Sequence, residues 1–330
     1  MPRNHHKETD QKVIENLKAF LKKNSKIILA LSGGPDSVFL LECLEKFAKE
    51  TPEIPIRIII AHLNHKLRGK DSALDASFVS NLAKHKNLKF EYKELDIGKS
   101  AKKHKNSVED EGRIARYEFF SNLQKKYKAD FIATAHHSDD NLETILFNFV
   151  RGSGLKGLSG IGSNLTIIRP LLCVTKKEIE TFLKKHKIKF RIDKTNFDTK
   201  IPRNFLRHKI IPLLEKINPN LPQTILKNSK LIKETQNFIE EEAIKWIEAN
   251  DLSPRFRPLS RFDLKELKPL HKALKREIIR QIYYKKSGDA KNISASNIEE
   301  VLDILDKNIG GKKKKLGKYV IEINKGTFII

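Results

Sequence analysis

The chain has 330 residues, which is enough for two ordinary domains that each bury a core. Its 65 Lys and Arg residues exceed the 41 Asp and Glu residues by 24 and are spread along the whole chain, so nucleic acid is the first partner to consider and an anionic membrane the second. No stretch approaches the roughly 18 apolar residues of a membrane span and the N-terminus lacks the apolar core of a signal peptide, which predicts a soluble, cytoplasmic protein with no membrane partner.

The first predicted elements in chain order are a buried strand at 27–31, a loop from Ser32 to Ser37 and a helix whose apolar period starts at Val38. A second apolar run at 56–61 follows at roughly the 30-residue spacing of a strand, a crossover helix and a parallel strand. Further strands are predicted near 90–95, 131–135 and 166–169, and helices near 71–86, 108–126, 142–150 and after Thr175. The patterns Ser107-x-x-Asp110 and Thr175-x-x-Glu178 predict the N-caps of two of these helices. This alternation predicts an α/β fold with a doubly wound parallel sheet.

Beyond about residue 212 the pattern changes to helices without intervening strands, near 269–286 and 296–307 among others. Pro254 and Pro258 suggest a boundary, and a lysine run at 312–315 precedes a hairpin signal at 324–326. We therefore expect a first domain over 1–215, a helical linker over 216–250 and a second, smaller α+β domain over 251–330.

The two cysteines, Cys43 and Cys173, form no C-x-x-C pair and have no ligand-spaced histidines around them. A zinc ribbon, a disulfide framework and a sulfur-relay pair are therefore poorly supported. Cys43 lies among leucines of the predicted first helix, which indicates core packing.

The loop between the first strand and helix, Ser32-Gly33-Gly34-Pro35-Asp36-Ser37, has the composition of a phosphate site. A helix N-terminus presents free N–H groups and a partial positive charge, glycines allow close approach of an anion, and the two serines add hydroxyl donors. The loop is neither a Walker A motif nor a dinucleotide fingerprint. Asp36 would repel phosphate unless a cation lay between them, so the loop implies Mg²⁺ with Asp36 as its ligand.

Three later segments carry candidate chemistry. Ala61 and His62, at the end of the second strand, border the phosphate site, although histidines in such a loop are also common as solvated residues. In the segment from Ala133 to Thr144, Asp140 and Glu143 are three apart on a helix and project from one side, whereas Asp139 is accounted for by the helix dipole. Arg203 and Arg207, four apart after Pro202, could clamp phosphate or carry only surface charge.

The pattern SGG-x-DS is the signature of the PP-loop ATP pyrophosphatases. Together with HLNHKLR, EGRIARY, ATAHHSDDNLET, RGSGLKGL and IPRNFLRH, in that order, it makes residues 25–215 resemble the tRNA(Ile)-lysidine synthetases, in their short bacterial form with one small C-terminal domain. The resemblance implies an adenine nucleotide α-hydrolase-like fold, with a catalytic ATP-binding domain followed by a small tRNA-binding domain.

The resemblance also implies a ligase that uses ATP, Mg²⁺ and free L-lysine. Its partner would be the isoleucine tRNA with a CAU anticodon, whose wobble cytidine is adenylated at the C2 oxygen and then attacked by the lysine ε-amine, releasing pyrophosphate and AMP. The sequence does not decide whether the chain forms a homodimer.

The implied roles fall on the residues already singled out. The nucleotide site would comprise Ser32, Gly33, Gly34, Pro35, Asp36, Ser37, Ala61 and His62. Arg113 would add a cation near the phosphates or the adenylate. Asp140 and Glu143 would bind the lysine ammonium, and His136 or one of those carboxylates would take its proton. Arg203 and Arg207 would hold tRNA phosphate or the flipped cytidine, and the lysine run would contact the tRNA body.

Two other readings remain open at this point. A PP-loop tRNA thiolase would install sulfur, although paired cysteines are absent from the sequence. A basic RNA-binding protein could retain the nucleotide site only as a switch. Lysine-dependent release of pyrophosphate would separate all three.

Overall fold

The computed structural model describes residues 8–67, 69–162, 165–192, 202–252, 261–288, 293–307, 311–324 and 326–330. These form two compact units, the first from residues 1–151 with 160–228 and the second from 152–159 with 229–330. Residues 253–260, where prolines suggested a boundary, lie outside the described residues. The segment predicted as a linker is divided between the units, since Ala243 and Ile247 lie in the core of the second.

The first unit is built on a five-stranded parallel sheet in the order β3-β2-β1-β4-β5, which confirms the predicted doubly wound α/β fold. Its strands are β1 (Lys26–Ala30), β2 (Arg57–Asn64), β3 (Lys89–Glu94), β4 (Phe131–Ala133) and β5 (Ile167–Ile168). Alternate residues of β1 enter different cores, Ile27 and Leu29 on one face and Ile28 on the other. A strand buried on both faces therefore reads as a continuous apolar run.

Helices cover both faces of this sheet. They are α1 (Thr9–Lys18), α2 (Pro35–Glu50), α3 (Lys70–His85), α4 (Ile97–His104), α5 (Val108–Tyr127), α6 (Ser138–Val150), α8 (Lys176–Lys185), α9 (Pro202–Phe205) and α10 (Ile211–Ile217), with a 3₁₀ turn at Pro170–Cys173 and a π-helical turn at Leu206–Ile210. Both predicted N-caps are confirmed: Ser107 Oγ accepts from Asp110 N at 3.0 Å, and Thr175 Oγ1 accepts from Glu178 N at 3.2 Å. Helix α4 was not predicted.

The sheet order places a topological switch between β1 and β4. From β1 the chain proceeds outward through β2 and β3, whereas β4 lies on the other side of β1 and leads to β5. Connections leaving the carboxyl ends of β1 and β4 therefore diverge and leave a crevice, which is where ligands bind in open α/β sheets. The phosphate loop follows β1, and the segment with Asp140 and Glu143 follows β4.

The second unit contains a four-stranded antiparallel sheet in the order β6-β9-β8-β7. Its elements are α7 (Leu155–Leu158), most of α11 (Leu221–Asn250), β6 (Arg261–Asp263), α12 (Leu264–Leu267), α13 (Lys272–Ser287), α14 (Ala295–Lys307), β7 (Lys313–Leu316), β8 (Tyr319–Asn324) and β9 (Thr327–Ile329). The predicted hairpin is the β8–β9 pair, although Lys325 in its turn is outside the described residues.

Most of the lysine run, for which the sequence indicated no helix or strand, forms the edge strand β7. Its backbone pairs with β8, and Lys313 and Lys314 form ion pairs with Glu322 at 3.1 Å and Glu300 at 2.6 Å. No helix within the described part of the chain combines the length and apolarity needed to cross a bilayer.

Candidate active site

The phosphate loop joins β1 to α2, with Gly34 as N-cap and Pro35 at the first helical position. Gly33 has φ +89°, and a Cβ there would lie 3.2 Å from both Phe78 and Val79. Ser37 Oγ donates to Gly34 O at 3.0 Å and lies 3.1 Å from Ser32 Oγ. The turn therefore requires glycine and leaves the first N–H groups of α2 available to an anion.

Asp36 lies in the first turn of α2. Its Oδ1 is buried and accepts no hydrogen bond from any described residue. Burial raises the pKa of this carboxyl, although the charge of His137 opposes the shift. A buried oxygen with unused lone pairs suits a cation, and one carboxylate beside phosphate oxygens is a usual Mg²⁺ environment. Because the described residues contain no cluster of three or more potential ligands, substrate oxygens would complete such a site.

His137 lies at the centre of the acidic groups. The residue is 1% exposed, and its Nε2 is 3.8 Å from Asp36 Oδ2 and 3.4 Å from Asp140 Oδ2. Burial alone would lower its pKa, but Asp140, Asp139 and Asp36 raise the pKa to about 9. His137 is therefore a cation at neutral pH that links the phosphate loop to the start of α6.

Asp139 does more than complement the helix dipole. Its Oδ2 accepts from the backbone N–H of Lys176 at 2.9 Å and lies 3.2 Å from His137 Nδ1, without hydrogen-bond alignment. Asp139 thus joins α6 to the start of α8. The Lys176 ammonium, in turn, is close enough to lower the pKa of Asp36. Lys176 directly follows the N-cap of α8 in the sequence, a position that does not indicate a role in the site.

Asp140 and Glu143 project from one side of α6, as predicted, and both contact Arg207. The guanidinium Nη2 donates to Asp140 Oδ1 at 3.2 Å and to Glu143 Oε2 at 2.9 Å, and its Nε donates to the other Glu143 oxygen. The Glu143 side chain is 6% exposed, and burial raises its pKa although Arg207 opposes the shift. These carboxylates form a partly buried site that already holds a side-chain cation.

His136 and His62 are held by different strands. His136 follows β4, its Nδ1 is 3.0 Å from Thr134 Oγ1, and burial lowers its pKa to about 4. His62, in β2, donates from Nδ1 to Leu31 O at 2.8 Å, while Ala61 O accepts from Leu31 N at 3.0 Å. Burial also lowers the pKa of His62. Both histidines are therefore neutral at pH 7, and Ala61 and His62 border the start of the phosphate loop.

Arg113 and Arg203 are not joined to the acidic site. Arg113 is exposed on α5, with its guanidinium carbon 5.9 Å from the Tyr117 ring centroid, and it makes no ion pair within the described ranges. Arg203 lies 3.7 Å from the exposed Glu109. Arg68 and Ile201, which complete two of the motifs quoted above, are outside the described residues.

Two further arginines near His136 were missed by sequence reasoning. The charges of Arg169 and Arg116 both lower the pKa of His136, which places them near its ring. Arg169 follows β5 and donates to Gly162 O and to Tyr117 Oη. Arg116 was visible in EGRIARY, but a helix with two arginines three apart does not indicate which one faces the site.

A family model described as a PP-loop domain matches residues 5–214. Among curated proteins, the chain is 33% identical over 306 residues to the tRNA(Ile)-lysidine synthase of Caldanaerobacter subterraneus subsp. tengcongensis, covering 92% of this chain and 64% of that protein. It is also 33% identical over 314 residues to the protein of that name from Clostridioides difficile, covering 94% and 67%. The chain thus spans about two thirds of the length of these relatives.

Among solved structures, the U34-tRNA thiolase NcsA from Methanococcus maripaludis superimposes with a TM-score of 0.56 at 20% identity. The match covers 68% of this chain and 78% of that one. At this level of identity the likeness concerns the fold alone.

Proposed function

Since the chain belongs to the tRNA(Ile)-lysidine synthase family of PP-loop proteins, we propose that it uses ATP to join free lysine to the wobble cytidine of the CAU-anticodon isoleucine tRNA. The cytidine C2 oxygen attacks the α-phosphate of ATP and pyrophosphate leaves. The lysine ε-amine then attacks C2, forms the C–N bond and displaces AMP.

The observation that carries this proposal is the contact of Asp140 and Glu143 with the Arg207 guanidinium. Two carboxylates on one side of α6 hold a cationic group at the end of a flexible alkyl chain. The side chain of a lysine substrate also ends in a cation on an alkyl chain, and its ammonium, a point charge where the guanidinium is a planar fork, would be attracted by the same two carboxylates. A nucleophile held here lies beside the phosphate loop, because His137 contacts both Asp140 and Asp36.

The phosphate loop supports the first stage. Negative charge grows on the leaving pyrophosphate, and the N–H groups of α2 with the hydroxyls of Ser32 and Ser37 can stabilise it. The protonated His137 adds a fixed positive charge nearby. Magnesium held at Asp36 would supply further neutralisation of the phosphate oxygens.

The second stage requires a neutral amine. Free lysine has a side-chain pKa of about 10.4, so roughly one molecule in a few thousand is nucleophilic at pH 7. Asp140 and Glu143 would bind the ammonium, and Glu143, whose pKa burial raises, or the neutral His136 would accept its proton. The ammonium would have to replace Arg207 at this site, which frees Arg207 for an RNA phosphate.

Lysine incorporation and pyrophosphate release, measured together, test the proposal. With unmodified isoleucine tRNA, ATP and magnesium, the wild-type chain should give both signals and Asp36→Asn neither. Glu143→Gln should still release pyrophosphate but incorporate little lysine, because only the second stage needs the carboxylate. Pyrophosphate release that is independent of lysine in the wild type, with no incorporation, would reject the proposal.

The surroundings of the two cysteines argue against the alternative hypothesis, a tRNA thiolase. Cys43 is 1% exposed, and burial raises its thiol pKa well above the usual range. Cys173 is a partly buried thiol that donates to Pro170 O at 3.3 Å. Sulfur transfer needs an accessible thiolate, and Cys43 cannot supply one.

A further inference from the structure

Phe147 lies on the same side of α6 as Asp140 and Glu143, one turn beyond Glu143. Its ring is half-buried, and the guanidinium carbons of Arg151 and Arg203 are 5.2 and 5.8 Å from the ring centroid. Arg151 ends α6, and Arg203 lies four residues before Arg207. We call Phe147, Arg151 and Arg203 the aromatic–arginine cluster.

Stability does not explain this cluster. An exposed cation–π contact contributes about 0.5–1 kcal/mol, and the ion pair between Arg203 and the exposed Glu109 contributes little at 3.7 Å. Phe147 belongs to none of the three apolar cores formed by the described residues. Among the described residues, Glu109 is the only carboxylate that pairs with either guanidinium, so the cluster keeps a net positive charge.

The chemistry of the cluster matches single-stranded RNA. An aromatic face and planar guanidiniums both stack on nucleobases, and guanidinium N–H groups also donate to phosphate oxygens. Four residues of helix separate Glu143 from Phe147, a rise of about 6 Å. A base stacked on Phe147 would therefore lie beside a nucleotide whose reacting atom is at Glu143.

We propose that the aromatic–arginine cluster is a stacking site for the nucleobase next to the target cytidine, with Arg151 and Arg203 contacting the adjoining phosphates. The proposal rests on the proposed function, because it takes the acidic site as the place of reaction. It assigns Phe147 and Arg151 to RNA binding and gives Arg203 a contact with a phosphate beside the stacked base.

Binding of an unmodified anticodon stem-loop RNA to the full chain tests the proposal. Phe147→Leu keeps an apolar side chain but removes the ring, and it should weaken binding by about 5- to 140-fold, the cost of one lost base stack. Phe147→Tyr should bind like the wild type. Phe149→Leu is the matched control, since Phe149 is 67% exposed on the opposite side of α6 and should not affect binding.

An RNA with one abasic site identifies the stacked base. When the abasic site replaces the nucleotide that stacks, on the 5′ or the 3′ side of the cytidine, the difference between the wild type and Phe147→Leu should disappear. The two arginines give a different signature: Arg151→Gln and Arg203→Gln should each reduce the salt dependence of binding by about one phosphate contact, whereas Phe147→Leu should not.

Three outcomes overturn the proposal: equal binding by Phe147→Leu and the wild type, an equal loss in Phe149→Leu, or a Phe147→Leu defect that persists with both the 5′ and the 3′ abasic RNA. In each case lysine incorporation by the wild type would leave the proposed function standing. If Phe147→Leu fails to fold, Phe147→Trp in a Trp246→Phe background replaces it. Its fluorescence should then be quenched by the intact RNA, and unchanged fluorescence rejects the stacking site.

Discussion

Removing the Arg207 guanidinium should destabilise the first unit strongly, because Glu143 and Asp140 lose the cation that contacts both of them in a poorly hydrated site. We consider Arg207→Met, which keeps the apolar stem of the side chain. The Glu143 side chain is 6% exposed, and those of Asp140 and Arg207 are 23% and 25% exposed. Water therefore cannot fully replace the lost hydrogen bonds.

The expected loss in the free energy of unfolding is about 2–4 kcal/mol. Breaking a fully buried ion pair costs about 3–5 kcal/mol, and the partial exposure of Asp140 reduces that figure. Arg203→Met is the matched control, four residues away. Because Arg203 pairs with the 72% exposed Glu109 at 3.7 Å and otherwise contacts the Phe147 ring, its loss should cost only about 1 kcal/mol. Adding Glu143→Gln to Arg207→Met should recover part of the loss, with a coupling of about 1–3 kcal/mol.

Urea unfolding followed by far-UV circular dichroism measures the loss. The fluorescence of Trp246, the single tryptophan, reports the unfolding of the second unit separately. The urea concentration at which it changes should be the same in Arg207→Met as in the wild type. If Arg207→Met is no less stable than Arg203→Met, or if the double variant shows no coupling, the network does not stabilise the fold and the reasoning is refuted.

Three further predictions concern other parts of the first unit. Gly33→Ala should lower the free energy of unfolding by at least about 1 kcal/mol and weaken ATP binding, because Gly33 has φ +89°. Gly34→Ala should lose less stability in urea, because an added Cβ there would have its nearest contact at 3.5 Å and only the N-cap preference for Gly over Ala is lost. Hydrogen bonds from Ser100, Asn106 and His104 lower the pKa of the buried Glu111 to about 2, so its contribution to the free energy of unfolding is present above pH 4.5 and lost as the pH falls toward 2. The urea midpoints of the wild type and Glu111→Gln should therefore converge in acid. A constant difference between them would contradict this. The pKa of His137 is raised, so the pH dependence runs in the opposite direction: its contribution to the free energy of unfolding, at most about 3 kcal/mol, is full below pH 6.5 and lost as the pH rises through about 9. The stability advantage of the wild type over His137→Gln should shrink over that range.

Local signals were sufficient for much of the fold. The apolar run before Ser32, the helical period after it and the two N-caps each depend on residues a few positions apart, and the structure has all of them. Helix α4 was missed because its short, lysine-rich sequence lacks a long apolar stripe. Strand β6 was missed because three residues carry no clear period, and its pairing with β9 joins residues far apart in sequence.

The sequence by itself determined which residue types follow β1 and β4, and it therefore predicted a phosphate loop with a nearby acidic pair. It did not determine what those groups contact. The pairing of Arg207 with Glu143 spans 64 positions, and the burial of His137 among three carboxylates depends on the adjacency of β1 and β4. Charge, burial and distance set the pKa of each group, and only the tertiary structure fixes all three. For that reason the sequence located the candidate site, whereas the folded chain decided that His137 carries a proton there and that His136 does not.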